Sequence, residues 1–121
     1  MAKILIVDDE PANRALLTTL LLYAGHDVVQ AGDGHEALQK AKADCPDLIV
    51  VDLNLPGMHG TQFVKALRTD PDTASVKIAL YTATAPNESL TAFMEVTGIR
   101  HLVPKPSEPS EALEAIAAAL T

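Results

Sequence analysis

Leu48-Ile49-Val50-Val51-Asp52 decides how the rest of the chain is read. Four apolar side chains, three of them β-branched, run without a break into one carboxylate. An unbroken apolar run this short predicts a strand covered on both faces, since a half-exposed strand would alternate. Leu53-Asn54-Leu55-Pro56-Gly57 follows, and its proline and glycine end the strand. Asp52 is therefore expected at the carboxyl edge of a sheet. Ile4-Leu5-Ile6-Val7-Asp8-Asp9 repeats the pattern. With the two strands as neighbours, three carboxylates meet at one edge.

Outward from this run, apolar strands alternate with segments of helical period. Lys3 to Val7 reads as the first strand, and Asp9-Glu10-Pro11 supplies acids and a proline where a helix should start. Leu16, Leu17, Leu20, Leu21 and Ala24 then recur at helical spacing until Gly25 stops them. Asp27 to Ala31 is a short strand, Gly32-Asp33-Gly34 a turn rather than a phosphate loop, and His35 to Ala43 a helix. That helix sets Ala37, Leu38 and Ala41 on one side and closes before Pro46. After Leu48 to Asp52, a helix over His59 to Thr69 is expected to bury Phe63, Val64 and Leu67, and Asp70-Pro71-Asp72 marks a loop. Val76 to Tyr81 is a strand ending at Thr82, and Pro86 to Thr97 a helix carrying Leu90, Phe93 and Met94, closed by Gly98. Ile99 to Val103 is the fifth strand, followed by Lys105-Pro106. Ser107 or Ser110 is expected to cap a last helix striped by Leu113, Ile116, Ala117 and Leu120. Strict alternation predicts one domain over residues 1–121. It is a doubly wound α/β fold, a five-stranded parallel sheet with helices on both faces.

Composition narrows the function classes. Two Tyr, two Phe and no Trp among 121 residues make the core aliphatic. No apolar run has spanning length and no signal-peptide layout is present, so the reading is a cytoplasmic protein. The single Cys45 excludes an internal disulfide and a cysteine metal site, and reads as an inert loop thiol. A net charge of −7 with nine scattered Lys and Arg argues against a nucleic-acid surface. His26, His35, His59 and His101 lack metal-ligand spacing and read as surface residues.

In open α/β sheets, ligands sit beyond the carboxyl ends of the strands, where strand order reverses. Asp8 and Asp9 end the first strand, Asp52 the third, Thr82 the fourth and Lys105 the fifth. Three close carboxylates repel one another, and a hard divalent cation such as Mg²⁺ resolves that repulsion. Thr82 adds a hydroxyl donor and Lys105 a compact ammonium. A hydroxyl, an ammonium and Mg²⁺ around one carboxylate form a receptacle for a phosphoryl group on that carboxylate. Alone, each residue has a plainer reading: Glu10 as a first-turn helix acid, Thr82 in a turn, Lys105 as a surface charge, Tyr81 and Leu102 as packing residues.

The motifs Val7-Asp8-Asp9-Glu10, Asp52 through Gly60, Thr82-Ala83 and Lys105-Pro106 resemble, end to end, the receiver domain of two-component response regulators. The resemblance implies a flavodoxin-like sheet in the order 2-1-3-4-5. It implies that Asp52 takes a phosphoryl group from a phosphohistidine on a sensor histidine kinase or histidine phosphotransfer protein. Asp9, Asp52 and the backbone carbonyl of Asn54 would hold Mg²⁺, with Asp8 acting through water; Thr82 and Lys105 would hold phosphoryl oxygens. The Lys105-Pro106 bond would be cis. Asn54 and Thr84 occupy the places that tune attack of water on the phosphoryl group. The family's aromatic switch position, three residues before the lysine, is Leu102 here, and His101 beside it faces the other side of its strand. Pro104 removes a backbone donor next to the lysine.

The resemblance makes the chain a phosphoacceptor with no turnover on an external substrate. Two alternatives stand beside it. An aspartyl-nucleophile phosphatase needs a second acid two residues after the nucleophile, where Asn54 stands. A degenerate receiver would serve only as a docking module. The chain stops after its fifth helix, which suits a single-domain regulator or a receiver cut from a longer protein. Its output would then be protein–protein contact through the last two helices and the fifth strand.

Overall fold

The computed structural model describes residues 2–83, 87–105 and 108–121. Strands and helices alternate throughout: β1 (Lys3–Val7), α1 (Pro11–Tyr23), β2 (Asp27–Ala31), α2 (Gly34–Asp44), β3 (Leu48–Val51), α3 (Gly60–Thr69), β4 (Lys77–Thr82), α4 (Glu88–Thr97), β5 (His101–Pro104) and α5 (Pro109–Leu120). All neighbouring strands pair in parallel, in the order β2-β1-β3-β4-β5.

The alternation of side chains along each strand builds two cores. Leu5, Val7, Ile49, Val51, Ile78 and Leu80 face one side, where Ala37, Ala41, Phe63, Val64, Leu67 and Leu90 of α2, α3 and α4 cover them. Ile4, Ile6, Leu48, Val50, Ala79, Tyr81 and Val103 face the other, under Leu17 and Leu21 of α1 and Ala112, Ile116 and Ala119 of α5. β3 is buried along its whole length, as its unbroken apolar run requires. Strand order reverses between β1 and β3, so the crevice opens at the carboxyl ends of these two strands.

Several details differ from the sequence reading. β5 begins at His101, two residues later than Ile99; Ile99 is instead tied back to α4, its N–H donating to Met94 O at 2.9 Å. β3 stops at Val51, and His59 caps α3 from outside. The buried stripe of α5 is Ala112, Ile116 and Ala119, with Leu113 and Leu120 at its margin and Ala117 exposed. An alanine-rich helix offers nearly equal faces, and the sheet selects among them. In α1 only Leu17 and Leu21 are buried; Leu16 is 49% exposed and Ala24 is exposed. Ser110 lies inside α5, whose entry uses Glu108 with Pro109 at the first helical position and no side-chain cap. Thr84, Pro86, Pro106 and Ser107 lie outside the described residues, and so do the readings that rest on them, the cis bond included.

Candidate functional site

Sheet hydrogen bonding runs one residue past the strands and pins the backbone beneath the site. Asp52 N–H donates to Val7 O at 2.9 Å, Asp8 N–H to Ala31 O at 3.2 Å and Lys105 N–H to Thr82 O at 2.9 Å. Asp8 and Asp52 therefore stand side by side at the reversal point, with Thr82 and Lys105 on the adjoining strand ends. Asp8, Asp52 and Thr82 are buried, whereas Asp9 is exposed.

Each buried acid spends one oxygen locally. Asp52 Oδ1 accepts the N–H of Asn54 at 3.0 Å, and Asp8 Oδ1 accepts the N–H of Glu10 at 2.9 Å. These two-residue turns are a local bond that aspartate forms readily. They aim both remaining oxygens at a common point, where the Lys105 ammonium donates to Asp52 Oδ2 at 2.6 Å and to Asp8 Oδ2 at 3.0 Å. Burial alone would pull the Lys105 ammonium down; its hydrogen bonds to Asp52 and Asp8 outweigh that, and it sits above the ordinary lysine value.

Asp8, Asp9 and Asp52 each place a carboxylate oxygen within 4.8 Å of the others. Among the described residues, one ammonium faces three carboxylates, which leaves the cluster formally two charges short of neutral. The donor set is all oxygen and strongly anionic, which suits a hard divalent cation. The residues present thus fit a metal, and Asp9 keeps its carboxylate toward solvent. Asn54 is exposed directly beyond Asp52, as expected from its place in the loop.

Three residues near the cluster were given no role at the site by the sequence reading. Arg14 Nη1 donates to the Asp8 carbonyl at 2.6 Å, holding the acidic turn from the first turns of α1. Gly60 presses α3 against the site: a Cβ there would stand 2.6 Å from Leu53 Cα and 2.7 Å from Asp52 O. Tyr81, read from sequence as a packing residue, does pack, and its ring also lies under the Lys105 ammonium, 4.8 Å from Nζ to the ring centre. The only signal for Tyr81 was its place beside Thr82; Arg14 gave none. His59 is exposed but employed: its Nδ1 accepts the Thr61 N–H at 3.2 Å, while Gln62 Oε1 accepts the His59 N–H at 3.1 Å. Leu102 packs on the α2–α3–α4 side, opposite Leu80 in register; His101 pairs with Ala79, which faces the other core.

Comparison with known proteins agrees with this fold. The family model described as response regulator receiver domain matches residues 4–117. Protein PilH of Pseudomonas aeruginosa is 32% identical over 120 residues, covering 99% of this chain and 98% of that protein. DNA-binding response regulator MtrA of Mycolicibacterium smegmatis is 36% identical over 118 residues, and the matched part is 50% of its length. A solved structure of the Vibrio cholerae chemotaxis protein CheY4 superposes with a TM-score of 0.91 at 33% identity, covering 98% of both chains.

Proposed function

Because the chain belongs to the response regulator receiver domain family of two-component signalling, we propose that Asp52 is its phosphoacceptor and that phosphorylation there switches a protein-binding face. The observation that carries this reading is the Lys105 ammonium shared between Asp52 and Asp8 at the reversal point of the sheet. A carboxylate oxygen of Asp52 attacks the phosphorus of a phosphohistidine; the P–N bond breaks, the imidazole leaves with its electron pair, and an acyl phosphate remains. Lys105 then exchanges a carboxylate partner for a phosphoryl oxygen, and the Thr82 hydroxyl holds a second. Asp8 stays beside the ammonium and keeps it protonated. Asp9, Asp52 and the Asn54 carbonyl would hold Mg²⁺, with Asp8 acting through water. When bound, the ion supplies charge neutralisation for the transferring group. The rest of the rate comes from position: Asp8, Asp52, Thr82 and Lys105 all sit on hydrogen-bonded backbone.

The donor is a sensor histidine kinase or histidine phosphotransfer protein. Output passes through α4, β5 and α5, where Val96 on α4 is 87% exposed, to a protein partner. Direct binding to DNA by this chain is not expected, given its net charge of −7.

Intact mass after incubation with Mg²⁺ and a small acyl-phosphate donor tests the central step. The wild type should gain one phosphoryl group, Asp52→Asn none, and EDTA during the reaction should prevent the gain. An adduct that persists in Asp52→Asn would place the acceptor elsewhere. No adduct from either the small donor or a phosphorylated histidine protein would leave a docking module.

A further inference from the structure

Among the described residues, the Lys105 ammonium has three partners, and the reaction uses only two. Asp52 and Asp8 hold it from the crevice side at 2.6 and 3.0 Å. The third is the ring of Tyr81, whose centre lies 4.8 Å from Nζ, inside cation–π range. The contact is sheltered: Tyr81 is 8% exposed and the Lys105 side chain 16%. The ring belongs to the same core as Val103, its partner in register, and Ala112 and Ile116 of α5. It is therefore fixed by the sheet and by α5, not by the lysine.

That fixity matters because lysine is a flexible stem with a point charge at its tip. Two carboxylates position it only while both carry charge. Once Asp52 carries a phosphoryl group, its partner moves and the ammonium must follow. An aliphatic side chain at position 81 would fill the same space but present no negative face to the cation. We propose that Tyr81 is a positioning residue for phosphoryl transfer, holding the Lys105 ammonium at the crevice before, during and after the group lands on Asp52. The proposal rests on Asp52 being the acceptor. It also gives the site an aromatic contact on the α5 side of the sheet, whereas Leu102 lies on the α4 side.

Two measurements test it, each on wild type, Tyr81→Phe and Tyr81→Leu, with thermal melting to show that each variant is folded. The first is nitrogen–proton correlation of the lysine ammonium groups, assigned for Lys105 by its loss in Lys105→Gln. The ring should shift the Lys105 signal upfield in wild type and Tyr81→Phe, and Tyr81→Leu should lose that shift. The second is the initial rate of phosphoryl uptake by intact mass. Loss of a sheltered cation–π contact should slow Tyr81→Leu by about fivefold, and Tyr81→Phe should restore the rate. A Tyr81→Leu protein that keeps its rate within twofold, or a Tyr81→Phe protein as slow as Tyr81→Leu, overturns the role of the ring. If Tyr81→Leu does not fold, a wild-type Lys105 signal without upfield displacement overturns it as well. A wild type that takes no phosphoryl group overturns the acceptor reading beneath it, whatever the ring does.

Discussion

At Lys105 one side chain answers to two buried acids. Its raised pKa is a statement about stability with a definite sign. A cation held above its unfolded value stabilises the fold fully below the unfolded value and loses that contribution as pH rises through the folded value. In metal-free buffer, wild type should therefore exceed Lys105→Gln by about 3 kcal/mol near neutrality. That is the low end for a buried pair, because the lysine side chain is 16% exposed. The gap should hold up to the ordinary lysine value of 10.5 and narrow above it. Chemical denaturation of both proteins from pH 7 to 12 checks this, and a constant gap would remove the ion pair as its cause. Asp8, Asp9, Asp52, Thr82 and Lys105 were legible from sequence because each ends an apolar run. Tyr81 was not: strand periodicity assigns it to a core, and only three-dimensional register brings a cation over its ring.

At the level of elements, α3 packs backbone to backbone against the segment that follows Asp52. Its first residue, Gly60, donates its N–H to Leu53 O at 2.8 Å, and a Cβ there would strike backbone at two points. Backbone cannot step aside as the end of a side chain does. Gly60→Ala should destabilise the protein by about 1–3 kcal/mol and slow phosphoryl uptake, because the displaced segment follows Asp52 directly. Urea unfolding together with the uptake rate checks both; a variant as stable as wild type would show that the loop yields freely. The elements themselves were legible wherever a strand or helix had one apolar face. They were not where the composition is degenerate, as in the alanine-rich α5. Cys45 closes α2 with φ +46°, a place ordinarily given to glycine, so it was Pro46 and not the cap residue that marked the end of that helix in the sequence.

For the molecule as a whole, a ligand that binds only the assembled acidic cluster should raise the stability of the entire fold. At ten times its dissociation constant, Mg²⁺ should add about 1.4 kcal/mol, on the order of 5 °C in melting temperature for a domain of this size. Asp9→Asn should lose most of that increment, and calorimetry with and without Mg²⁺ checks it. An equal increment in Asp9→Asn would move the metal elsewhere. The topology was legible because alternating strands and helices leave few arrangements, and the parallel order places all the acids at one edge. That order also spreads the site along the chain. The bond between Lys105 and Asp8 joins positions 97 residues apart, so the acidic edge gains its cation only after β5 has docked on β4. Contacts this distant in sequence are the slow ones to form in folding. Competence to accept a phosphoryl group, on the proposed reading, depends on both ends of the polypeptide at once. On the same reading, a chain whose last strand has not docked lacks its lysine at the acidic edge, so only fully folded molecules would take up the phosphoryl group.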